Sequence, residues 1–238
     1  QYGLFSGGKK IRSKLLVDVG SIFNLNYKTL IIIGAAVECI HAYSLIHDDL
    51  PCMDNDSVRR GKNAAHIKFG EASAVLAGNS LLTLAFEIIA DKNYSIHPKI
   101  KIEVINSLAF CSGHTGIAGG QELDLKFENK RKSLGQIIEM QKKKTGKLFN
   151  FCLYAVGVLA KKSNKEKKFL SDLGEEIGLL FQFADDFLDI KGSKKLVGKP
   201  TNKDYKKGKS TLIKLMGYKK ANTYANNLKE KILFKLKK

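Results

Sequence analysis

The sequence has little that would cross-link or interrupt a helical chain. Its 238 residues include only three prolines, and its four cysteines lie far apart, with no CxxC pair and no zinc-site spacing. We therefore predict reduced thiols, buried in the core or close to a site, in a cytoplasmic protein. These cysteines are Cys39, Cys52, Cys111 and Cys152.

Long apolar runs and strand signals are also scarce. No apolar run reaches the roughly 18 to 20 residues of a membrane-spanning helix, and the first residues do not resemble a signal peptide. We therefore expect no stable membrane insertion. Sustained alternation and Asn-Gly or Asp-Gly turns are absent, which argues against β-hairpins.

Acidic residues are outnumbered, with 23 Asp and Glu against 41 Lys and Arg, for a net charge of +18. Such a chain can bind nucleic acid, an anionic membrane or phosphorylated ligands. The lysine runs contain few aromatic residues and match no nucleic-acid module. We interpret most lysines as solvated surface and expect no nucleic-acid partner.

Apolar residues recur at three- and four-residue steps over most of the chain, which predicts helices. The predicted helices cover 29–47, 71–90, 100–120, 135–159, 169–190 and, more polar, 212 to the end. Several are apolar nearly all round and should be buried. The predicted fold class is all-α, a single large helical bundle over 1–238, with loops at 50–63 and 191–210.

Two acidic clusters interrupt these apolar helices. Asp48 and Asp49 end the first helix, and Pro51 should turn the chain so that Asp54 and Asp56 fold back beside them. In the second cluster, one helix face carries four polar residues at i, i+3, i+4 and i+7, and these are Gln182, Asp185, Asp186 and Asp189. Carboxylates that share a face repel one another unless a cation is present.

Oxygen ligands of this kind suit Mg²⁺, which shares its coordination shell with substrate phosphates. The loop at Asp54 has Arg59 where an EF-hand requires glycine. Basic motifs that could hold phosphate lie between the clusters and near both chain ends. A nucleotide P-loop over 203–210 is excluded because Lys203 stands where its first glycine is required.

Six motifs in chain order resemble the trans-isoprenyl diphosphate synthases over almost the whole chain. They are GGKKIR, DDLPCMDND with SVRRG, GGQELDL, KTG, FQFADDFLD and GKPTNKDYKKGKST. The stretch ECIHAYSLIHDDLPCMDND resembles the bacterial farnesyl diphosphate synthases in particular. The resemblance implies a polyprenyl synthase domain over 1–238 that lacks the N- and C-terminal helices of the family.

The resemblance also implies the isoprenoid synthase fold, with a central active-site cavity, and a homodimer. Isopentenyl diphosphate would be joined to dimethylallyl or geranyl diphosphate, giving farnesyl diphosphate. Three Mg²⁺ ions, or Mn²⁺ in their place, would assist loss of the allylic diphosphate, and the departed diphosphate would take the proton.

Site residues follow from the resemblance position by position. Metal ligands would be Asp48, Asp54 and Asp185, with Asp49, Asp186 and Asp189 acting through water. Allylic diphosphate would be bound by Arg59, Lys144, Thr145, Gln182, Lys199 and Lys209. Isopentenyl diphosphate would be bound by Lys9, Arg12, His41 and Arg60.

Product length should depend on Tyr43 and Ser44, one helical turn before the first aspartates, where family members line the tunnel for the growing product. The bulky Tyr43 is expected to stop growth at fifteen carbons. A geranylgeranyl diphosphate synthase remains the enzyme alternative, and a basic nucleic-acid-binding helical protein the non-enzyme one. Ser13 stands where the family usually has proline.

Overall fold

The computed structural model of the chain describes residues 1–191 and 211–237, and most of this part is helical. The α-helices are α1 (Ile11–Ile22), α2 (Tyr27–Asp48), α3 (Ala65–Phe69), α4 (Glu71–Ala90), α5 (Pro98–Ser112), α6 (Ile117–Phe127), α7 (Leu134–Gln141), α8 (Lys147–Leu159), α9 (Asn164–Lys191), α10 (Leu212–Met216) and α11 (Tyr218–Leu236). A π-helix, Lys142–Gly146, joins α7 to α8. The all-α prediction is confirmed.

Three of the predicted helices need correction. The segment predicted as one helix over 100–120 is α5 and α6, separated by a turn at Gly113 and Gly116. The last predicted helix is divided at Gly217, whose φ of 77° lies in the left-handed region that glycine tolerates. The segment 135–159 is continuous, but its centre is the π-helix rather than α-helix.

The predicted absence of hairpins was wrong for one short segment. Strands β1 (Val58–Arg59) and β2 (Lys62–Asn63) pair antiparallel, with Arg59 opposite Lys62. The two turn residues, Arg60 and Gly61, have φ of 53° and 76°. Positive φ at both central positions is the backbone that two-residue hairpins favour. The hairpin orients the paired arginines differently, one in a strand and the other in the turn.

Helix α2 is the apolar centre of the first part of the chain. Asn26 caps its first turn by accepting a hydrogen bond from the Thr29 backbone N–H at 3.0 Å. The helix packs against α1 and α4, and its inward residues include Leu30, Ile33 and Ile40, all nearly inaccessible to solvent. Burial of large aliphatic side chains contributes roughly 1.5 to 3 kcal/mol each. This packing positions the carboxyl end of α2, where the first aspartates lie.

By length and composition, α2 and α4 could each cross a membrane, which corrects the expectation that no segment would qualify. The most apolar stretch of α2 is 72% buried, which is typical of a core helix, whereas that of α4 is only 22% buried. Helix α4 therefore exposes much of its apolar surface.

The chain divides into two compact units. The first unit contains residues 1–110 and 151–168, and the second contains residues 111–150 and 169–238. In the second unit, Phe149 and Phe183 are fully buried, and the Phe183 ring packs on Tyr224 with ring centroids 5.4 Å apart. Cys39, Cys111 and Cys152 are buried, and Cys52, which lies within the first aspartate motif in the turn after Pro51, is exposed.

Candidate active site residues

The first aspartate motif folds back on the end of α2. The backbone N–H of Asp54 donates to the Asp48 carbonyl at 2.8 Å, and that of Asp56 donates to the Asp49 carbonyl at 3.1 Å. Asn55 between them has a φ of 49°, a conformation that asparagine tolerates better than most residues. The predicted return of the later aspartates beside the first pair is confirmed.

Asp49 is buried in this motif and paired with Arg59 from strand β1. The Arg59 Nε donates to Asp49 at 3.0 Å, one Arg59 Nη also contacts that carboxylate, and Asp56 lies 3.6 Å from the same Nη. Burial alone would lower the pKa of the Arg59 guanidinium. The hydrogen bond and charge of Asp49, with the charges of Asp56 and Asp48, outweigh burial and raise that pKa. Arg59 is thus a fixed cation of the first motif.

His41 and Arg12 meet between α2 and α1. An Arg12 Nη donates to His41 Nε2 at 3.3 Å, so the imidazole accepts through this nitrogen. Burial lowers the pKa of His41 well below its usual value, and the charges of Arg12 and Arg60 lower it further. His41 is therefore neutral at physiological pH. Lys9, predicted beside them, is exposed at the start of the chain.

Arg60, at the hairpin turn, reaches back to the glycine-rich start of the chain. One Nη contacts the Gly7 carbonyl and lies 3.4 Å from the Ser6 hydroxyl. Burial, followed by the charge of Arg59, lowers the pKa of Arg60. Arg60 therefore lies against the start of the basic motif GGKKIR, with which it is predicted to bind one diphosphate.

Glu38, which the sequence did not single out, lies among these cations. It is buried, its carboxylate lies 3.3 Å from the Lys10 Nζ, and it accepts a 3.3 Å hydrogen bond from the Ser13 backbone N–H. Helix α1 has no side-chain cap of its own. A carboxylate from α2 therefore satisfies one of the unpaired N–H groups at its amino end. The proline usual in the family at Ser13 would have no such N–H.

Tyr43 and Ser44 lie on α2 one turn before the first motif. Tyr43 is buried, and its ring meets His47 edge-on with centroids 5.6 Å apart. Burial, with the nearby charge of Asp48, raises the pKa of the Tyr43 phenol. The Ser44 hydroxyl donates to the His41 carbonyl at 3.0 Å, so it is bound within its own helix.

The second aspartate motif, on α9, belongs to the second unit. Asp185 is exposed, Asp189 is half-buried and Asp186 is only 3% exposed. Gln182 Nε2 donates to Asp186 at 2.8 Å, one helical turn along. Of the four residues predicted to share a face, Gln182 and Asp186 are therefore in contact, and Asp185 faces solvent.

The π-helix supplies the neighbours of this motif. The Thr145 hydroxyl donates to Gln182 Oε1 at 2.7 Å, and the Lys144 ammonium lies 2.6 Å from the buried Asp124 on α6. A side chain at Gly120, also on α6, would collide with the Lys144 backbone. Glycine thus permits α6 to approach the π-helix closely. Such π-helical turns are frequent at functional sites.

Sequence reasoning missed Asp124 and Gln141 in this unit. Asp124 lies in the motif GGQELDL, but the sequence predicted no role for this residue. Gln141 precedes the three lysines of the π-helix and has no distinctive neighbour in sequence. The predicted ligands Lys199 and Lys209 lie outside the described residues.

The donor chemistry of the aspartates suits a hard divalent metal ion. The predicted ligands offer only carboxylate oxygen atoms. Within residues 1–191 and 211–237, no three or more His, Cys, Asp or Glu side chains are grouped so as to hold an ion. Mg²⁺ commonly binds through one or two carboxylates together with water and substrate phosphates. The described carboxylates therefore fit an ion that shares its ligands with a diphosphate.

The family of the chain is defined by a match over nearly all of its length. The polyprenyl synthetase family model matches residues 1–237. The chain belongs to this family, and the resemblance inferred from the six motifs is confirmed.

Individual relatives agree with this assignment. The chain is 43% identical to farnesyl diphosphate synthase of Escherichia coli (strain K12) over 231 residues, 96% of this chain and 77% of that protein. It is 39% identical to farnesyl diphosphate synthase of Bacillus subtilis (strain 168), over 90% of this chain and 73% of that one. A crystal structure of geranyltransferase from Helicobacter pylori, complexed with magnesium and isoprenyl diphosphate, superposes with a TM-score of 0.88 at 35% identity. That match covers 99% of this chain and 80% of the other.

Proposed function

We propose that this chain is a prenyltransferase that condenses isopentenyl diphosphate with dimethylallyl or geranyl diphosphate to form farnesyl diphosphate. The observation that carries the proposal is its likeness to farnesyl diphosphate synthases over almost the whole chain. Both aspartate motifs are intact in this chain. A geranylgeranyl product is the alternative within the same chemistry.

Magnesium is the proposed cofactor, with three ions per site and Mn²⁺ as a possible substitute. Asp48, Asp54 and Asp185 would be its direct ligands, and Asp49, Asp186 and Asp189 would act through water. The magnesium in the Helicobacter pylori structure supports the choice of metal. When bound, Mg²⁺ neutralises the charge of the departing diphosphate.

The cations of the chain would hold the allylic diphosphate. Arg59 offers a planar fork suited to phosphate oxygens, and Lys144 offers a compact ammonium. Both are paired with carboxylates, Asp49 and Asp124 respectively. The diphosphate would bind the same two cations, either alongside their carboxylate partners or in place of them. Arg59 and Lys144 are therefore already in position before the diphosphate binds. Thr145 and Gln182 would face the allylic carbons, and Lys199 and Lys209 complete the proposed set.

Isopentenyl diphosphate would be bound by Lys9, Arg12, His41 and Arg60. Neutral His41 accepts a hydrogen bond from Arg12 and so orients that guanidinium. The low pKa of His41 avoids a second positive charge in contact with Arg12. No side chain is assigned as the base. The departed allylic diphosphate, held by its own set of cations, would take the proton.

Tyr43 is the proposed limit on product length. It is a buried, bulky ring one turn before the first aspartates. Tyr43→Ala should lengthen the product beyond fifteen carbons, measured by chromatography. Tyr27→Ala at the opposite end of α2, where the ring is 66% exposed, is the matched control. Identical product distributions for both variants would contradict this role.

A homodimer is the proposed assembly. Helix α4 is apolar yet mostly exposed, with Leu76 at 65%, and α5 exposes Ile102 at 68%. Exposed apolar patches of this kind mark interaction surfaces. A second copy of the chain would cover them. Light scattering should give the dimer mass, and Leu76→Glu should shift it to the monomer.

The decisive experiment incubates the purified chain with Mg²⁺, labelled isopentenyl diphosphate and geranyl diphosphate. A fifteen-carbon product that disappears on addition of a chelator supports the proposal. A twenty-carbon product favours the alternative. No product from folded protein would overturn the proposed activity for this chain.

A further inference from the structure

Gln141 ends α7 immediately before the π-helix and contacts the second aspartate motif. The side chain lies 45 positions from Asp186 in sequence, and its amide Nε2 donates to Asp186 Oδ2 at 3.4 Å. The residue is only 4% exposed. A buried amide in contact with an aspartate of the motif is placed to influence what that aspartate binds.

The Asp186 carboxylate is held on both of its oxygens by amides. Gln182 Nε2 donates to Oδ1 at 2.8 Å, and Gln141 Nε2 donates to Oδ2. Thr145 donates to Gln182 Oε1 at 2.7 Å, which fixes the orientation of that amide. A carboxylate only accepts hydrogen bonds, so the Gln141 nitrogen must face Asp186. The Gln141 amide oxygen must therefore face another group.

Within residues 1–191 and 211–237, that oxygen has no hydrogen-bond partner. Gln141 Oε1 is buried, and no donor among the residues that the structure describes reaches it. Buried polar atoms are nearly always hydrogen-bonded, so an acceptor that lacks a donor in the described part of the chain, beside a predicted metal motif, points to a donor carried by a ligand. Water on a divalent cation is a strong donor, and groups around metal-bound carboxylates commonly accept or donate such bonds.

We propose that Gln141 is a positioning residue for Mg²⁺–diphosphate binding at the second aspartate motif. Its amide nitrogen holds the Asp186 carboxylate in place, and its amide oxygen accepts a hydrogen bond from water of the hydrated ion. The inference rests on the proposed function. Gln182 orients the same carboxylate from its own helix, whereas Gln141 does so from α7.

Calorimetric titration of Mg²⁺ in the presence of inorganic diphosphate tests this role without turnover. Gln141→Met keeps the side-chain volume but removes donor and acceptor. We expect it to raise the half-saturating Mg²⁺ concentration roughly tenfold, as the loss of outer hydrogen-bond partners does in metal sites. Glu139→Gln, exposed on the same helix, is the control and should leave the midpoint unchanged.

Thermal unfolding without metal separates positioning from a merely structural role. A structural role would lower the melting temperature of metal-free Gln141→Met and leave its Mg²⁺ midpoint at the wild-type value, and that result would overturn the inference. Should Gln141→Met not fold, Gln141→Asn serves, because it stays polar but is too short to reach Asp186. We expect the same rise in its midpoint.

The wild-type titration distinguishes failure of the Gln141 inference from failure of the proposed metal site. Wild-type binding with a raised midpoint in Gln141→Met supports the inference. Wild-type binding with an unchanged midpoint overturns the inference and leaves the proposed function intact. No Mg²⁺–diphosphate binding by folded wild-type protein would overturn the metal site itself, and the inference with it.

Discussion

Asp49 in the first aspartate motif and Asp186 in the second are both buried, at 2% and 3% exposure, but their partners differ. Asp49 is held by the guanidinium of Arg59, a full positive charge. Asp186 is held by the neutral amides of Gln182 and Gln141. Arg59 brings a positive charge to the Asp49 carboxylate, and the two amides orient the Asp186 carboxylate.

The backbone around each aspartate explains the difference. Asp49 lies where α2 ends and the chain turns, so its position depends on the loop and hairpin that deliver Arg59. Asp186 lies inside α9, where the helix already fixes the backbone. Arg59 therefore ties this turn to the hairpin, whereas the two amides orient a side chain whose backbone the helix already holds.

The largest expected effect is the loss of turnover when an aspartate of either motif is replaced. Asp48→Asn and Asp185→Asn should each lower kcat roughly 1,000-fold, because each removes a proposed ligand of an ion that contributes several kcal/mol to the transition state. Steady-state turnover measures this. Asp18→Asn, on the exposed face of α1, should keep wild-type turnover. A loss below tenfold in either motif would contradict that ligand assignment.

Removal of the charged partner should destabilise the first unit. Arg59→Met leaves Asp49 buried without its cation, and breaking such a pair costs about 3 kcal/mol. Urea unfolding gives the free energy of unfolding. The double variant Arg59→Met with Asp49→Asn should recover part of the loss, because it removes the uncompensated charge. No recovery would show that packing rather than charge holds this loop.

Lower pH should weaken the first unit through His41. Its folded pKa lies well below its usual value near 6.5, because of burial and the arginine charges. Protonation therefore favours the unfolded chain, so stability is full above pH 6.5 and falls as pH decreases towards the folded pKa. The slope is at most about 1.4 kcal/mol per pH unit. Urea unfolding at pH 7.5 and 5.5 should show a smaller loss for His41→Gln, and equal losses would contradict this.

A smaller effect than that of Arg59→Met is expected from the amide network of the second unit. Gln182→Met removes the 2.8 Å donor to Asp186 and the acceptor for Thr145. The bond to the Asp186 carboxylate contributes about 1.5 kcal/mol and the neutral bond from Thr145 about 1 kcal/mol, so we expect a loss in unfolding free energy of about 2.5 kcal/mol, below that of Arg59→Met. A loss equal to or above that of Arg59→Met would reverse the comparison.

Local features of the fold were predictable from sequence. Helix α4 spans 71–90 as predicted, because its period of apolar residues is unbroken and no proline interrupts it. The turn after Pro51 was also expected, since proline cannot continue the helix. The hairpin was missed because Arg60-Gly61 is not a usual turn sequence. The exposure of Cys52 follows from the turn after Pro51.

The amino-acid sequence by itself determined most of the longer helices, the family and the two aspartate motifs, because helical periodicity and motif order depend on neighbours along the chain. Only the tertiary structure decided which polar side chains are buried and with what they pair. Asp186 meets Gln141 across 45 positions, and Glu38 meets Ser13 across 25. Nothing local distinguishes those residues from the many solvated polar ones. Burial, which makes a hydrogen bond or charge decisive, arises only when distant helices pack together.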